Sequence, residues 1–144
     1  MQVFPNSRNV IPGEVFFTVD LRHPDDEILS KMDQQLRDVS KRIVEETGLE
    51  MKFEQIWYSP PVPFNKDCVD SVRNAAEAAG YSHRDIVSGA GHDACYIARV
   101  APTAMVFVPC ENGISHNEAE NAKPEHLAAG CNVLLAAVLN QANS

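Results

Sequence analysis

The sequence predicts an α/β protein, and three observations carry that prediction. Apolar and polar residues alternate along residues 13–22, with Phe16 as an exception, and again along residues 50–58, with the two-residue period of a strand that buries one face. Between these segments, apolar residues recur at steps of three and four, as on one face of a helix. A short apolar run at residues 104–109, bounded by Pro102 and Pro109, is typical of a buried strand.

The first 59 residues predict a strand, a helix and a second strand. The helix begins near Pro24, where acidic residues suit the positive end of the helix dipole, and it ends at Gly48. The apolar faces consist of Val15, Phe17, Val19 and Leu21 on the first strand, of Ile28, Met32, Leu36, Val39 and Ile43 on the helix, and of Met51, Phe53 and Trp57 on the second strand.

A proline-rich segment at residues 59–65 predicts a boundary, because three prolines in four residues force an irregular connection and forbid a helix. Beyond it the pattern predicts a helix from about Lys66 to Ala79, closed by Gly80, and a final helix that starts near Pro124.

Composition restricts the class of protein. The chain has 144 residues and a net charge of −8, which disfavours a nucleic-acid or anionic-membrane partner because phosphate binding needs a basic surface. No apolar stretch reaches the roughly 18 residues needed to span a bilayer. The four cysteines form no Cys-x-x-Cys pair and are too sparse for a disulfide scaffold, so we expect reduced thiols and a cytoplasmic location.

Two histidine motifs carry the chemistry. His116 follows the buried strand in the loop Gly113-Ile114-Ser115-His116-Asn117, at the strand end where open α/β sheets place ligand groups. His92 stands with Asp93 in the glycine-rich segment Ser88-Gly89-Ala90-Gly91-His92-Asp93-Ala94. Either histidine taken alone has an alternative interpretation as a hydrogen-bonded structural residue.

These motifs, together with the segments around Asn9 and Arg22, resemble a specific family over nearly the whole chain. The sequence resembles the closing part of the hydantoinase/carbamoylase branch of the M20 metallopeptidase-like amidohydrolases. That branch includes N-carbamoyl-L-amino-acid hydrolases, allantoate amidohydrolases and β-ureidopropionases. The resemblance implies that residues 1–59 form the second half of an α/β-sandwich lid and dimerisation domain, and that residues 60–144 form the C-terminal part of a catalytic α/β domain.

The same resemblance implies the roles of four residues. His116 matches the family's last metal ligand, for zinc or manganese, and Glu120 is a candidate acceptor for its second ring nitrogen or simply a solvated acid. His92 matches a histidine that hydrogen-bonds the substrate, and Asn9 and Arg22 match lid positions that hold its carboxylate. Taken alone, Arg22 has the alternative role of an ion-pair partner for Asp20 or Asp25.

The resemblance therefore implies a hydrolase of the C–N bond of a small ureido or carbamoyl acid, acting as a homodimer. The family's other metal ligands and its general-base glutamate belong to an upstream region that this chain does not contain. One imidazole cannot hold a catalytic metal, which takes three protein ligands, so we expect the chain alone to bind no metal tightly and to be inactive. The alternative function is a non-catalytic dimerisation or interaction module derived from such an enzyme.

Overall fold

The computed structural model describes residues 1–143 and divides the chain into two compact units, Met1–Pro61 and Val62–Ser144. The division falls inside the proline-rich segment at residues 59–65. The assignment of residues 1–59 to a lid and of residues 60–144 to a catalytic domain stays a prediction. No helix within residues 1–143 is both long enough and apolar enough to cross a membrane.

The first unit contains a small antiparallel sheet and one long helix. Strand β1 (Gln2–Phe4) pairs with strand β2 (Glu14–Phe16), with Val3 opposite Val15. Helix α1 (Asp26–Thr47) begins at the N-cap Asp25, whose carboxylate accepts a hydrogen bond of 3.0 Å from the backbone N–H of Ile28. It ends at Gly48, which has a left-handed backbone with φ of 69°. The predicted helix and its end at Gly48 are thus confirmed, but the helix begins at Asp26, so the prediction that Pro24 is its first residue is wrong.

The two predicted strands of the first unit are largely wrong. The first is only three residues long, Glu14–Phe16, and residues 50–58 form no strand in the described part of the chain. The second segment lies alongside helix α1 instead: the Arg37 guanidinium sits 4.4 Å from the centre of the Phe53 ring, and the Tyr58 hydroxyl donates to Asp26 at 2.5 Å. A strand needs a neighbouring strand to bond with, and sequence alternation does not supply one.

The second unit is organised by two helices, α2 (Lys66–Ala78) and α4 (Pro124–Ala142), which confirm the predicted pair. They meet through small buried side chains, Ala75 and Ala76 on α2 and Val133 and Ala137 on α4. Between them in sequence lie the short helix α3 (Asp93–Ile97) and a 3₁₀ turn at Glu111–Gly113. The small residues let the helix axes approach closely, so this contact is the core of the unit.

An ion cluster ties helix α2 to the segment that leads into the His92 motif. Arg73 donates to Asp85 at 2.5 Å and also pairs with Asp70, which pairs with Lys66 as well. The hydrogen bonds from Lys66 and then Arg73 lower the pKa of Asp70, and the bond from Arg73 lowers the pKa of Asp85. Because Asp85 stands three residues before Ser88, the cluster fixes the start of that loop.

The predicted strand at residues 104–109 is not a strand in the described part of the chain. Ala104, Met105, Val106 and Val108 are partly buried, whereas Phe107 and Pro109 are exposed. The segment packs against helix α4, where a Cβ added at Gly130 would lie 2.6 Å from Cγ1 of Val108. The segment bonds to its surroundings at its ends, with Asn65 N–H donating to Thr103 O at 3.1 Å and Glu111 N–H donating to Asn121 O at 2.7 Å. The apolar pattern correctly indicated burial, but within residues 1–143 no neighbouring strand adjoins it.

Candidate functional site

His92 lies at the N-terminal end of helix α3 and is half-buried. Its backbone is extended, with φ of −129° and ψ of 150°, and Asp93 opens the helix directly after it. The ring meets the Phe107 ring edge-on, with centroids 5.4 Å apart and an interplanar angle of 63°. Its Nε2 lies 2.6 Å from the hydroxyl oxygen of Ser88. The ring is therefore held by one apolar and one polar contact.

His116 lies in a tight loop with a left-handed backbone, at φ of 56°. Its Nδ1 lies 2.8 Å from the Ser115 hydroxyl, and its backbone N–H donates to Oε2 of Glu120 at 2.8 Å. The other oxygen of Glu120 accepts a longer contact, 3.8 Å, from the Cys110 thiol. Glu120 was left either as an acceptor for the second ring nitrogen or as a solvated acid. In this structure it accepts from the loop backbone, because the left-handed turn brings the His116 N–H to it.

The described residues do not by themselves fit a catalytic metal. Within residues 1–143 no group of three or more His, Cys, Asp or Glu side chains is placed to hold a metal ion. Ser115 engages Nδ1 of His116, so Nε2 is the ring nitrogen that could face a ligand. Any metal bound through His116 needs further ligands from outside this group of residues.

Arg22 forms a forked ion pair with Asp20 in the first unit. Its Nε donates to Oδ1 at 3.0 Å and its Nη2 donates to Oδ2 at 2.5 Å, with both side chains more than half exposed. The hydrogen bond lowers the pKa of Asp20 and raises the pKa of Arg22. The ion-pair alternative is therefore present in this structure, and a substrate carboxylate would have to share or displace Asp20.

Asn9 belongs to the loop between strands β1 and β2, and its side chain is exposed. Its backbone N–H reaches the Ser7 hydroxyl at 3.5 Å. Asn9 and Arg22 thus lie in the first unit, whereas His92 and His116 lie in the second. Their predicted roles in substrate and metal binding stay predictions.

The sequence prediction missed two serines that contact the histidine rings. Ser88 precedes His92 by four residues and binds its Nε2, while Ser115 directly precedes His116 and binds its Nδ1. Both serines are inside the motifs already singled out. The available signal was the chemistry of the hydroxyl, which can donate to a ring nitrogen or accept from one.

Comparison with known proteins gives consistent results. The model of peptidase family M20/M25/M40 matches residues 6–140. An N-carbamoyl-L-amino-acid amidohydrolase from Rhizobium meliloti is 50% identical over 138 residues, which are 96% of this chain and 33% of that protein. An allantoate amidohydrolase from Escherichia coli (strain K12) is 39% identical over 130 residues, which are 90% of this chain and 32% of that protein.

The fold shows the same likeness. A crystal structure of an amidase of the hydantoinase/carbamoylase family from Burkholderia multivorans matches with a TM-score of 0.96 and 65% identity, covering 99% of this chain and 35% of that chain. The resemblance predicted from the motifs is confirmed, and so is the α/β fold class, as a part of this amidase fold. The chain spans about a third of the length of the relatives it matches.

Proposed function

Because the chain belongs to peptidase family M20/M25/M40, we propose that it forms part of an amidohydrolase that cleaves the C–N bond of N-carbamoyl amino acids or related ureido acids such as allantoate. The observation that carries this proposal is the likeness to such amidohydrolases along nearly the whole chain, a stretch that includes His92 and His116. In the reaction, one water converts an N-carbamoyl amino acid into the amino acid, carbon dioxide and ammonia.

Each candidate residue has a distinct task in this proposal. His116 supplies one ligand to a divalent metal, zinc or manganese, through Nε2, while Ser115 orients its ring through Nδ1. Such a metal supplies a bound water of lowered pKa and polarises the carbonyl. His92 hydrogen-bonds the ureido group, and Arg22 and Asn9 bind the substrate carboxylate. The remaining metal ligands come from the two thirds of the relatives' length that this chain does not span.

We further propose that the protein is a homodimer. None of the residues of the first unit is fully buried, and its large apolar side chains include Phe17 at 56% and Trp57 at 77% exposure. Such an apolar surface is typical of a protein interface. The four free cysteines support a cytoplasmic location, because a reducing compartment keeps thiols unpaired.

A chimera tests the catalytic proposal. The chain replaces the matching third of the Rhizobium meliloti amidohydrolase, and metal content and ammonia release from an N-carbamoyl amino acid are measured. We expect an active, metal-loaded chimera. His116→Ala should lose metal and activity together, whereas the matched control His83→Ala, which alters a histidine bonded to Tyr81 O at 3.0 Å, should lose neither.

Arg22→Ala should keep the metal and weaken substrate binding. Losing a charge-assisted hydrogen bond costs about 1.5 to 3 kcal/mol, which raises KM by about 10- to 150-fold. Arg8→Ala, an exposed arginine of the same unit, is the control. A folded chimera without turnover, or a His116→Ala variant with full metal content, would contradict the assignment.

The alternative function is a non-catalytic dimerisation or interaction module. For the chain on its own, this alternative is favoured because residues 1–143 contain no complete metal-binding group. The 144-residue chain tested in the same assay should release no ammonia above the buffer blank. Turnover by the chain alone would show that no metal ligands are needed from outside the chain.

A further inference from the structure

The hydroxyl of Ser88 is fixed in position by two partners. The backbone N–H of Ala90 donates to Oγ at 3.2 Å, and His92 Nε2 lies 2.6 Å from the same oxygen. All three residues are half-buried. A serine hydroxyl that bonds the backbone two residues on forms a local turn, so its place does not depend on the rest of the loop.

The hydrogen-bonding capacity of the hydroxyl favours one direction for the Ser88–His92 bond. A hydroxyl has one hydrogen to donate and two lone pairs to accept with, and the Ala90 N–H occupies one lone pair. His92 Nε2 lies 2.6 Å from the hydroxyl oxygen and can accept its hydrogen. With the proton on Nε2 instead, the same oxygen would accept from two N–H groups and its own hydrogen would have to turn elsewhere.

We propose that Ser88 is a positioning residue that donates its hydroxyl hydrogen to Nε2 of His92 and so places the ring proton on Nδ1. The group presented to a ligand is then Nδ1–H, a donor suited to the carbonyl oxygen of a ureido group. This inference rests on the proposed function for the identity of that ligand, but the Ser88–His92 bond and the proton position do not. The edge contact with Phe107 restrains the ring in this orientation.

The second histidine provides an internal contrast. Ser115 engages Nδ1 of His116 at 2.8 Å, whereas Ser88 engages Nε2 of His92. The two serines therefore leave opposite ring nitrogens for other partners. Substituting Ser115 removes an equivalent hydroxyl from the other ring, which makes Ser115→Ala a matched control.

The test is the position of the proton on His92, read from nitrogen chemical shifts in the ¹⁵N-labelled 144-residue chain. Long-range ¹H–¹⁵N correlation distinguishes a protonated ring nitrogen from an unprotonated one, and the spectrum is recorded at a pH where imidazoles are neutral. The His92 signals are identified by their loss in His92→Gln. We expect Nδ1 protonated and Nε2 unprotonated.

The variants separate positioning from mere packing. Ser88→Ala should shift His92 toward the mixture of free histidine, in which the proton favours Nε2. Ser88→Thr should restore the wild-type pattern because threonine keeps the hydroxyl, and Ser115→Ala should leave the His92 signals unchanged.

Two results would overturn the proposal: a wild-type His92 protonated on Nε2, or a Ser88→Ala spectrum in which the His92 nitrogens are unmoved. The wild-type spectrum decides even if Ser88→Ala fails to fold. The measurement requires no metal, substrate or turnover. An inactive chimera would therefore overturn the catalytic proposal without affecting this one, and the reverse holds as well.

Discussion

We expect Gly130→Ala to destabilise helix α4, although helix propensity alone predicts that alanine stabilises it. Alanine is about 1 kcal/mol better than glycine inside a helix, so Gly130→Ala would ordinarily stabilise α4. Here the new Cβ would lie 2.6 Å from Cγ1 of Val108, whereas carbon atoms in contact prefer about 3.5 to 4.0 Å. The overlap of about 1 Å has to be relieved by movement.

Val108 cannot relieve the overlap cheaply. Its branched side chain is stiff at χ1, and the segment that carries it is partly buried against α4. Overpacking of this kind costs about 1 to 3 kcal/mol. Set against the gain of about 1 kcal/mol from propensity, we expect Gly130→Ala to destabilise the helix by about 1 kcal/mol, which lowers amide protection about fivefold.

A double-mutant cycle makes the prediction sharp. Val108→Ala removes the clashing carbon, so in that background Gly130→Ala should stabilise α4 by about 1 kcal/mol. Hydrogen exchange of the Val133 and Ala137 amides measures both effects within the helix itself. Ala128→Gly, at an exposed position of α4, calibrates the propensity term. The reasoning fails if Gly130→Ala raises protection equally in both backgrounds.

Two further predictions concern stability and assembly. The pKa values of Asp70 and Asp85 are lowered in the folded chain. The two carboxylates therefore stabilise the fold above their unfolded pKa of about 3.9, and this stabilisation is lost as the pH falls through their folded pKa values. The loss of the helical circular dichroism signal below about pH 4 should therefore depend less steeply on pH in Arg73→Gln than in wild type. Arg84→Gln is the control. Equal curves for Arg73→Gln and wild type would show that the ion cluster is not linked to folding. The homodimer proposal predicts that light scattering gives the mass of a dimer that dissociates on dilution, and a monomer at every concentration would refute it.

The three long helices could be predicted because their signals are local. Asp25, Asn65 and Gly48 act on backbone groups within a few residues, and Pro124 fixes its own φ, so sequence windows contain the cause. The strands could not, since a ladder depends on a partner distant in sequence. Residues 50–58 alternate like a strand, yet Phe53 and Tyr58 contact helix α1.

The candidate site shows the same division between local and distant causes. The motifs identified His92 and His116, but the hydroxyls that bind their rings follow from loop geometry, which a pattern of residue types does not encode. For the same reason the sequence left two alternatives for Glu120 and did not indicate its contact with the backbone N–H of His116. Arg22 could be assigned only as one of two alternatives, because the choice between Asp20 and a ligand depends on what is bound.

The backbone at His116 limits what evolution can place there. With φ of 56°, the position admits glycine freely and otherwise favours asparagine, aspartate and histidine. Of these four, only histidine offers a nitrogen that coordinates a transition metal strongly. The backbone conformation of the loop therefore restricts which residues can replace His116, whatever their ability to bind a metal. A search for diverged relatives should find His, Asn, Asp or Gly at this position, and those with Asn or Gly would be the ones that have kept the fold without the proposed metal ligand.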